Sequence, residues 1–402
     1  MRKKRILSIS LAWILIAAAQ ELLFRLVFPV PEVLDFNRIN YTNTLLHTSE
    51  DPPHLSNSSF TWSSEPDGAG FVHKLNLYGF RDKDWKLKKD KSRPRVMFIG
   101  DSFVEGFMSP DEGTIPNGFS KEAARNGHPY ETLNLGIGAS YIQLYFELVR
   151  DAVPLFRPDH LILVFYANDF PTAEFNPAWL SNARDPLPVQ PSKPRMLHLI
   201  GQFRQGRTIA RAWHSPPQPF VPPIPSPLNP WSEEAFRKQV EAFVSPPIAE
   251  AMMKGSFNPY AADSYGVMER TLPVPSIVRP HLEALLAYTK RHSTRLHLAY
   301  LPSGHQVSDA YLPYHSEYST NKTPTSLQGP RYQHHALTLG QECEKLNIPF
   351  LDLTPLLRKH ESGGERLYWD YDEHMRENGY LLAGKYIQNW FTSLQTGTPG
   401  NP

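Results

Sequence analysis

The chain has 402 residues, 41% hydrophobic and 20% charged, with 41 Lys+Arg against 40 Asp+Glu. That length and balance allow one large domain with insertions, or two domains, and a net charge of +1 gives no reason to expect nucleic acid as a partner. The one cysteine, Cys343, excludes an intramolecular disulfide and a cysteine-built metal cluster, and reads as a quiet thiol in a helix.

The first five residues, Met1-Arg2-Lys3-Lys4-Arg5, are basic, and Ile6 to Ala19 then carries no charge. A membrane span needs about 20 mostly apolar residues. Ile6 to Phe28 reaches that length if Glu21 and Arg25 lie near the outer interface. A cleaved signal peptide ending at Ala17-Ala18-Ala19 competes with an uncleaved signal anchor over residues 1–30. The apolar pattern continues past the alanines, which favours the anchor. Either form exports the remainder, because basic residues stay in the cytoplasm.

Residues 31–90 are a mixed lead-in segment, in which Asn76 to Asp82 reads as a strand and turn. Asn40, Asn57 and Asn321 each begin a glycosylation sequon, a pattern with a high chance rate. Residues 91–395 form the main domain. Its short apolar strands, 95–100, 131–135, 160–166, 295–301 and 348–353, alternate with helical stretches at 115–127, 141–156, 280–293, 331–346 and 376–395. Strands rich in Val, Ile, Leu and Phe, separated by helices, predict a parallel sheet covered on both faces: an α/β class, a three-layer α/β/α sandwich with five parallel strands. Residues 171–275 interrupt this pattern with Pro-Pro pairs at 216–217, 222–223 and 246–247, and read as an insertion or cap with helices at 196–213 and 232–244.

Ligands of an open parallel sheet bind at the carboxyl ends of its strands. Just past the first strand stands Gly100-Asp101-Ser102-Phe103. Past the second comes Asn134-Leu135-Gly136-Ile137-Gly138-Ala139-Ser140, past the third Tyr166-Ala167-Asn168-Asp169, and before the last helix Asp370-Tyr371-Asp372-Glu373-His374. A serine hydroxyl exposed at a strand tip becomes a nucleophile when a histidine takes its proton. Ser102 is the candidate nucleophile, His374 the general base and acid, and Asp372 the carboxylate that holds the imidazole tautomer. The Ser102 N–H, an N–H of the 136–140 turn and the Asn168 amide are candidate donors to the oxyanion. Asp101 reads as a residue that ties down the turn, and Asp169 as a cap for the segment after it. A loop histidine such as His305 is more often a local hydrogen-bond partner than a pocket residue. His334-His335 lies in a helix where neighbours point apart, so no metal site is read there. Phosphate-loop and dinucleotide motifs are absent, and no cofactor is expected.

These four blocks, in this order, resemble those of the SGNH/GDSL hydrolase superfamily over roughly 95–170 and 280–395. The resemblance implies a flavodoxin-like α/β/α fold and carboxylic ester chemistry through an acyl-enzyme. It implies Ser102, Asp372 and His374 as catalytic residues, and Ser102, Ala139 and Asn168 as the oxyanion hole. The chain departs from the common pattern at three places. Ala139 stands where the donating glycine would align, Ala167 precedes Asn168, and the acid is two residues before the histidine, with Asp370 as fallback. The N-terminal anchor, Gly79-Phe80-Arg81-Asp82 and the Asp-x-His ending are similar to exported bacterial members, some of which, such as the alginate O-acetyltransferases, move acetyl groups on polysaccharides. The partner expected is therefore an ester, an acetylated glycan or a lipid, with the membrane reached through the N-terminal helix. An acyltransferase, a lipid esterase lined by Phe203, Trp213, Phe220 and Trp231, and a non-catalytic binding protein stand as alternatives. The sequence sets no oligomeric state.

Overall fold

The computed structural model describes residues 2–27, 59–63, 70–74, 76, 80–138, 140–171, 173–181, 246, 249–250, 275–312, 326–369 and 374–396. The expected helices at 196–213 and 232–244, the four insertion aromatics, the three sequon asparagines, Ala139, Asp370 and Asp372 lie outside these residues.

Five strands form one parallel sheet: β3 (Arg95–Gly100), β4 (Glu131–Gly136), β5 (His160–Tyr166), β6 (Arg295–Leu301) and β7 (Phe350–Asp352), in the spatial order β4-β3-β5-β6-β7. Every residue of β3 and β5 is buried, as their apolar composition requires, while β7 at the edge is half-buried throughout. Helices α3 (Ile115–Arg125) and α10 (Glu377–Thr396) pack together on one face. Helices α4 (Ile142–Phe156), α6 (Pro275–Arg291) and α8 (His334–Lys345) pack in sequence, and right-handed crossovers place them on the other face. The chain leaves β3 in one direction to reach β4 and in the other to reach β5 and β6. That reversal opens a crevice beyond the carboxyl end of β3.

Several expectations need correction. The lead-in contains an antiparallel hairpin, β1 (Ser59–Ser63) and β2 (Gly70–Lys74), whose short strands give no apolar run. Of the expected strand and turn over Asn76 to Asp82, residues 77–79 lie outside the described residues, and Phe80 to Lys83 bends, the Phe80 N–H donating to Asn76 Oδ1 at 3.1 Å. Helix α9 (Thr354–Ser362) follows β7 and was hidden by Pro355, which is harmless in a first helical turn. Helix α6 starts at Pro275 and continues through Pro280, five residues before the predicted start. The N-terminal segment does form a helix, α1 (Arg2–Val27), but the expected span is not supported. No helix among the described residues is long and apolar enough to cross a membrane.

Two contacts fix the frame around the sheet. At the α3–α10 crossing, a Cβ on Gly384 would strike the Ile115 carbonyl and one on Gly118 the Leu381 carbonyl, so glycine on both helices sets their close approach. At the amino ends of β3 and β4, Arg95 is fully buried and meets Glu131 in two bonds, Nε to Oε2 at 3.0 Å and Nη2 to Oε1 at 2.9 Å. Its remaining donors reach the Lys86, Leu87 and Phe156 carbonyls, so the buried charge is satisfied on every side.

Candidate active site

Beyond Gly100 the chain turns sharply into α2 (Ser102–Glu105), a single helical turn. Asp101 caps it: its carboxylate accepts the Phe103 N–H at 2.9 Å. The turn closes at Gly106, whose φ of +87° lies in the left-handed region that glycine adopts without strain. Arg81 clamps the far side, donating to the Gly106 carbonyl, to the Ser109 carbonyl at 2.5 Å and to Asp111 at 3.2 Å. The segment continues through Met108, held at φ +57°, a conformation that side-chain-bearing residues rarely adopt. Its carbonyl accepts the Trp369 Nε1–H at 2.9 Å, and the Phe107 carbonyl accepts the Tyr380 hydroxyl at 2.8 Å.

Ser102 and His374, 272 residues apart in the chain, meet at 2.7 Å between Oγ and Nε2. His374 sits at the foot of α10, on a loop closed by backbone bonds from Trp369 N–H to the His374 carbonyl (3.0 Å) and from Arg376 N–H to the Leu367 carbonyl (2.8 Å). Arg376 also covers Trp369, 4.2 Å from the ring centre, and donates to the Tyr368 carbonyl. The imidazole lies between two rings, Phe103 and Phe107, each 4.9 Å away between centroids. Phe103 in turn stacks on Tyr166, the last residue of β5, at 3.8 Å. Phe103 lies nearly parallel to the imidazole, at 26°, and Phe107 is tilted to it by 40°.

The donors come from the strands flanking β3. In the 136–140 turn each described N–H already has a protein acceptor. Gly136 donates to Asn134 Oδ1 (3.0 Å), Ile137 to the Gly100 carbonyl (3.2 Å), Gly138 to Glu105 Oε2 (2.7 Å) and Ser140 to the Ile137 carbonyl (3.2 Å). Gly138 is therefore not an oxyanion donor here. Asn168 is half-buried in the turn after β5. The Asp169 carboxylate accepts the Tyr166 N–H at 2.8 Å, which ties the strand end. His305 is buried in α7 (Gly304–Val307).

Two carboxyls lie buried beneath Ser102. Burial pushes Asp101 up to about 6, with the Phe103 N–H and the nearby His374 pulling it back. Burial pushes Glu105 up to about 7, against the Gly138 N–H and the fields of Arg81 and His374. Raised carboxyls beside one histidine make this strand end a candidate site of chemistry. Cys343 is far less reactive, buried in α8 with its thiol pushed up to about 12. Among the described residues no cluster of His, Cys, Asp and Glu could hold a metal ion.

Of the sequence-derived residues, the structure brings Ser102 and His374 together and sets Asn168 at the adjacent strand end. Ala139, Asp372 and the fallback Asp370 lie outside the described residues. Sequence reasoning missed Glu105 and the Phe103–His374–Phe107 column. The signal for Glu105 was an acid inside the apolar run Phe103 to Met108.

The serine stands past the second spatial strand of the parallel sheet and the histidine just before the last described helix, the arrangement expected from the sequence. No protein family and no curated protein matches the sequence. Among solved structures, the chain is similar to a lipase/acylhydrolase from Enterococcus faecalis, at 11% identity and a TM-score of 0.38, over 77% of this chain and 99% of that one. It is also similar to the acetylxylan esterase Axe2 from Geobacillus stearothermophilus, seen as a catalytic mutant, at 12% identity and a TM-score of 0.36, over 74% and 94%. A third is a two-domain esterase, CEX, active on acetylated mannans, at 12% identity and a TM-score of 0.34; this chain spans 52% of its length. Likenesses this faint carry no weight for substrate, and the chemistry rests on the Ser102–His374 geometry.

Proposed function

We propose that this protein is a serine esterase of the SGNH/GDSL type that cleaves carboxylic esters, acetyl esters of carbohydrate foremost, through an acyl-enzyme. The observation that carries the reading is the 2.7 Å contact between Ser102 Oγ and His374 Nε2 inside an aromatic sandwich. With its proton on Nδ1, His374 accepts the Ser102 hydroxyl proton at Nε2 as Oγ bonds to the ester carbonyl carbon. The carbonyl π electrons move onto oxygen. That oxyanion takes donors from the Ser102 and Ala139 N–H groups and the Asn168 amide. When the intermediate collapses, the bond to the alcohol oxygen breaks and the Nε2 proton passes to it. Water then repeats the cycle, its proton going to Nε2 and then to Ser102 Oγ as the carboxylic acid leaves. Asp372 is assigned to the Nδ1 side, holding the tautomer and the transient imidazolium. A carbohydrate at the cell envelope and an exported domain are inferred from the basic, then apolar, start of the chain.

Hydrolysis of p-nitrophenyl acetate and longer esters by wild type and Ser102→Ala tests this. Activity on acetate that disappears in the variant, with labelling of Ser102 by a fluorophosphonate, is the expected result. A folded wild type that neither hydrolyses any ester nor labels at Ser102 refutes the reading.

A further inference from the structure

We propose that Glu105 is a positioning residue that holds the 136–140 turn, through the Gly138 N–H, at a fixed distance from Ser102. In its consequence for turnover this rests on the esterase reading. Glu105 is completely buried, three residues after Ser102 on α2, and its Oε2 accepts the Gly138 N–H at 2.7 Å. The two segments are also in direct backbone contact, since a Cβ on Gly136 would run into the Glu105 nitrogen. Gly138 is the one described N–H of the turn whose acceptor comes from the nucleophile's own helix. Serine and turn therefore move as one body.

The groups around this carboxyl are distributed over every neighbouring segment. Arg81 approaches from the stretch before β3, itself bound to Gly106, Ser109 and Asp111. Asp101 lies on the same turn, and His374 reaches in from the loop before α10. A carboxyl kept in so dry a place against its desolvation penalty strengthens the hydrogen bond it accepts, because a low dielectric magnifies both. An apolar side chain there would leave the Gly138 N–H buried without an acceptor. Glu105 touches no substrate in this scheme; it acts through the turn.

The test uses the full-length chain in three variants, with steady-state kinetics on p-nitrophenyl acetate and amide hydrogen exchange of Gly138 in protein labelled with 15N-glycine. Glu105→Gln keeps an acceptor oxygen at the same reach and should retain kcat within about threefold, with Gly138 exchange unchanged. Glu105→Ala removes the acceptor, so kcat should fall about 10- to 100-fold, comparable to misplacing one oxyanion donor, while KM stays within about threefold. Gly138 exchange should then rise at least about tenfold. Glu105→Asp retracts the oxygen while keeping the charge and should behave like Glu105→Ala, which decides the matter if Glu105→Ala does not fold. Unchanged kcat and unchanged Gly138 exchange in Glu105→Asp or Glu105→Ala overturns the proposal. So does a Glu105→Gln variant as impaired as Glu105→Ala, since charge and not the acceptor would then matter. A wild type without esterase activity counts against the esterase reading alone, because Gly138 exchange still reports the tether.

Discussion

The two ends of strand β3 bury charge in opposite ways. At the amino end, Arg95 and Glu131 face each other in register across β3 and β4 and close a two-bond ion pair, with backbone carbonyls taking the remaining donors. At the carboxyl end, Asp101 and Glu105 accept backbone N–H groups, and burial outweighs those bonds, leaving both carboxyls with raised pKa values near neutrality. A sheet can therefore hold buried charge as a rivet or as a strained support. The rivet is neutralised by a partner of fixed geometry. The support end keeps two raised carboxyls beside the Ser102–His374 pair.

The contrast predicts that damage at one end should appear as lost rate and at the other as lost stability. The largest effect is expected for His374→Ala, which should lower kcat/KM by about 10^4-fold or more and move the urea midpoint little. A variant that keeps a tenth of the activity would remove His374 from the reaction. Next, Arg95→Met leaves the half-buried Glu131 carboxylate and three backbone carbonyls without their donor and should cost about 3–5 kcal/mol in urea unfolding. Its kcat per folded molecule should match wild type, and a proportional fall in kcat would erase the distinction between the two ends. Gly136→Ala sits where both effects meet, because its methyl would push β4 off α2. Overpacking of this kind costs about 1–3 kcal/mol. Here kcat should drop with stability, and a stable, slow enzyme or an unstable, fast one would each contradict the contact.

The smallest effect concerns a third buried charge site, between β5 and β6. His160 Nδ1 lies 3.1 Å from His297 Nε2, beneath Phe391 of α10. Burial lowers them to about 4 and about 3, below the ordinary value of 6.5. The unfolded chain thus binds protons at these positions before the folded chain does. Stability is complete above about pH 6.5 and is lost as pH falls toward about 4. Asp101 and Glu105 act in the opposite sense over part of that window, so the contribution of the pair is read as a difference between proteins. Between pH 7 and 5.5, wild type should lose about 1.4 kcal/mol more than His297→Leu, one group over one pH unit below 6.5. Equal losses in urea titrations at the two pH values would show that the pair does not titrate in this way.

Much of this scaffold was legible in the sequence because a strand buried on both faces must be an apolar run, and Val96–Ile99 and Leu161–Phe165 are such runs. Ser102 was legible because it stands past a strand end, and His374 because it closes the Asp-x-His segment before the last helix. The hairpin β1–β2 was missed although Ser59 to Ser63 alternates polar and aromatic residues, because five residues of alternation are a short signal. Helix α9 and the start of α6 were obscured by prolines, whose effect depends on the position in the turn. Glu105 was illegible for a different reason. Its partner, Gly138, lies 33 residues away and contributes only a backbone N–H, which no residue type announces.

The separation of Ser102 from His374 by 272 residues also has a meaning in time. A ribosome that has delivered β3, β4 and β5 has delivered the nucleophile and its flanking turns, but no base. The histidine arrives with α10, whose seat is the glycine crossing on α3, a helix made much earlier. Docking of that last helix closes the longest loop in the domain and completes the dyad in one event. Until then Ser102 has no His374 Nε2 beside its Oγ, so the contact belongs to the nearly finished chain alone.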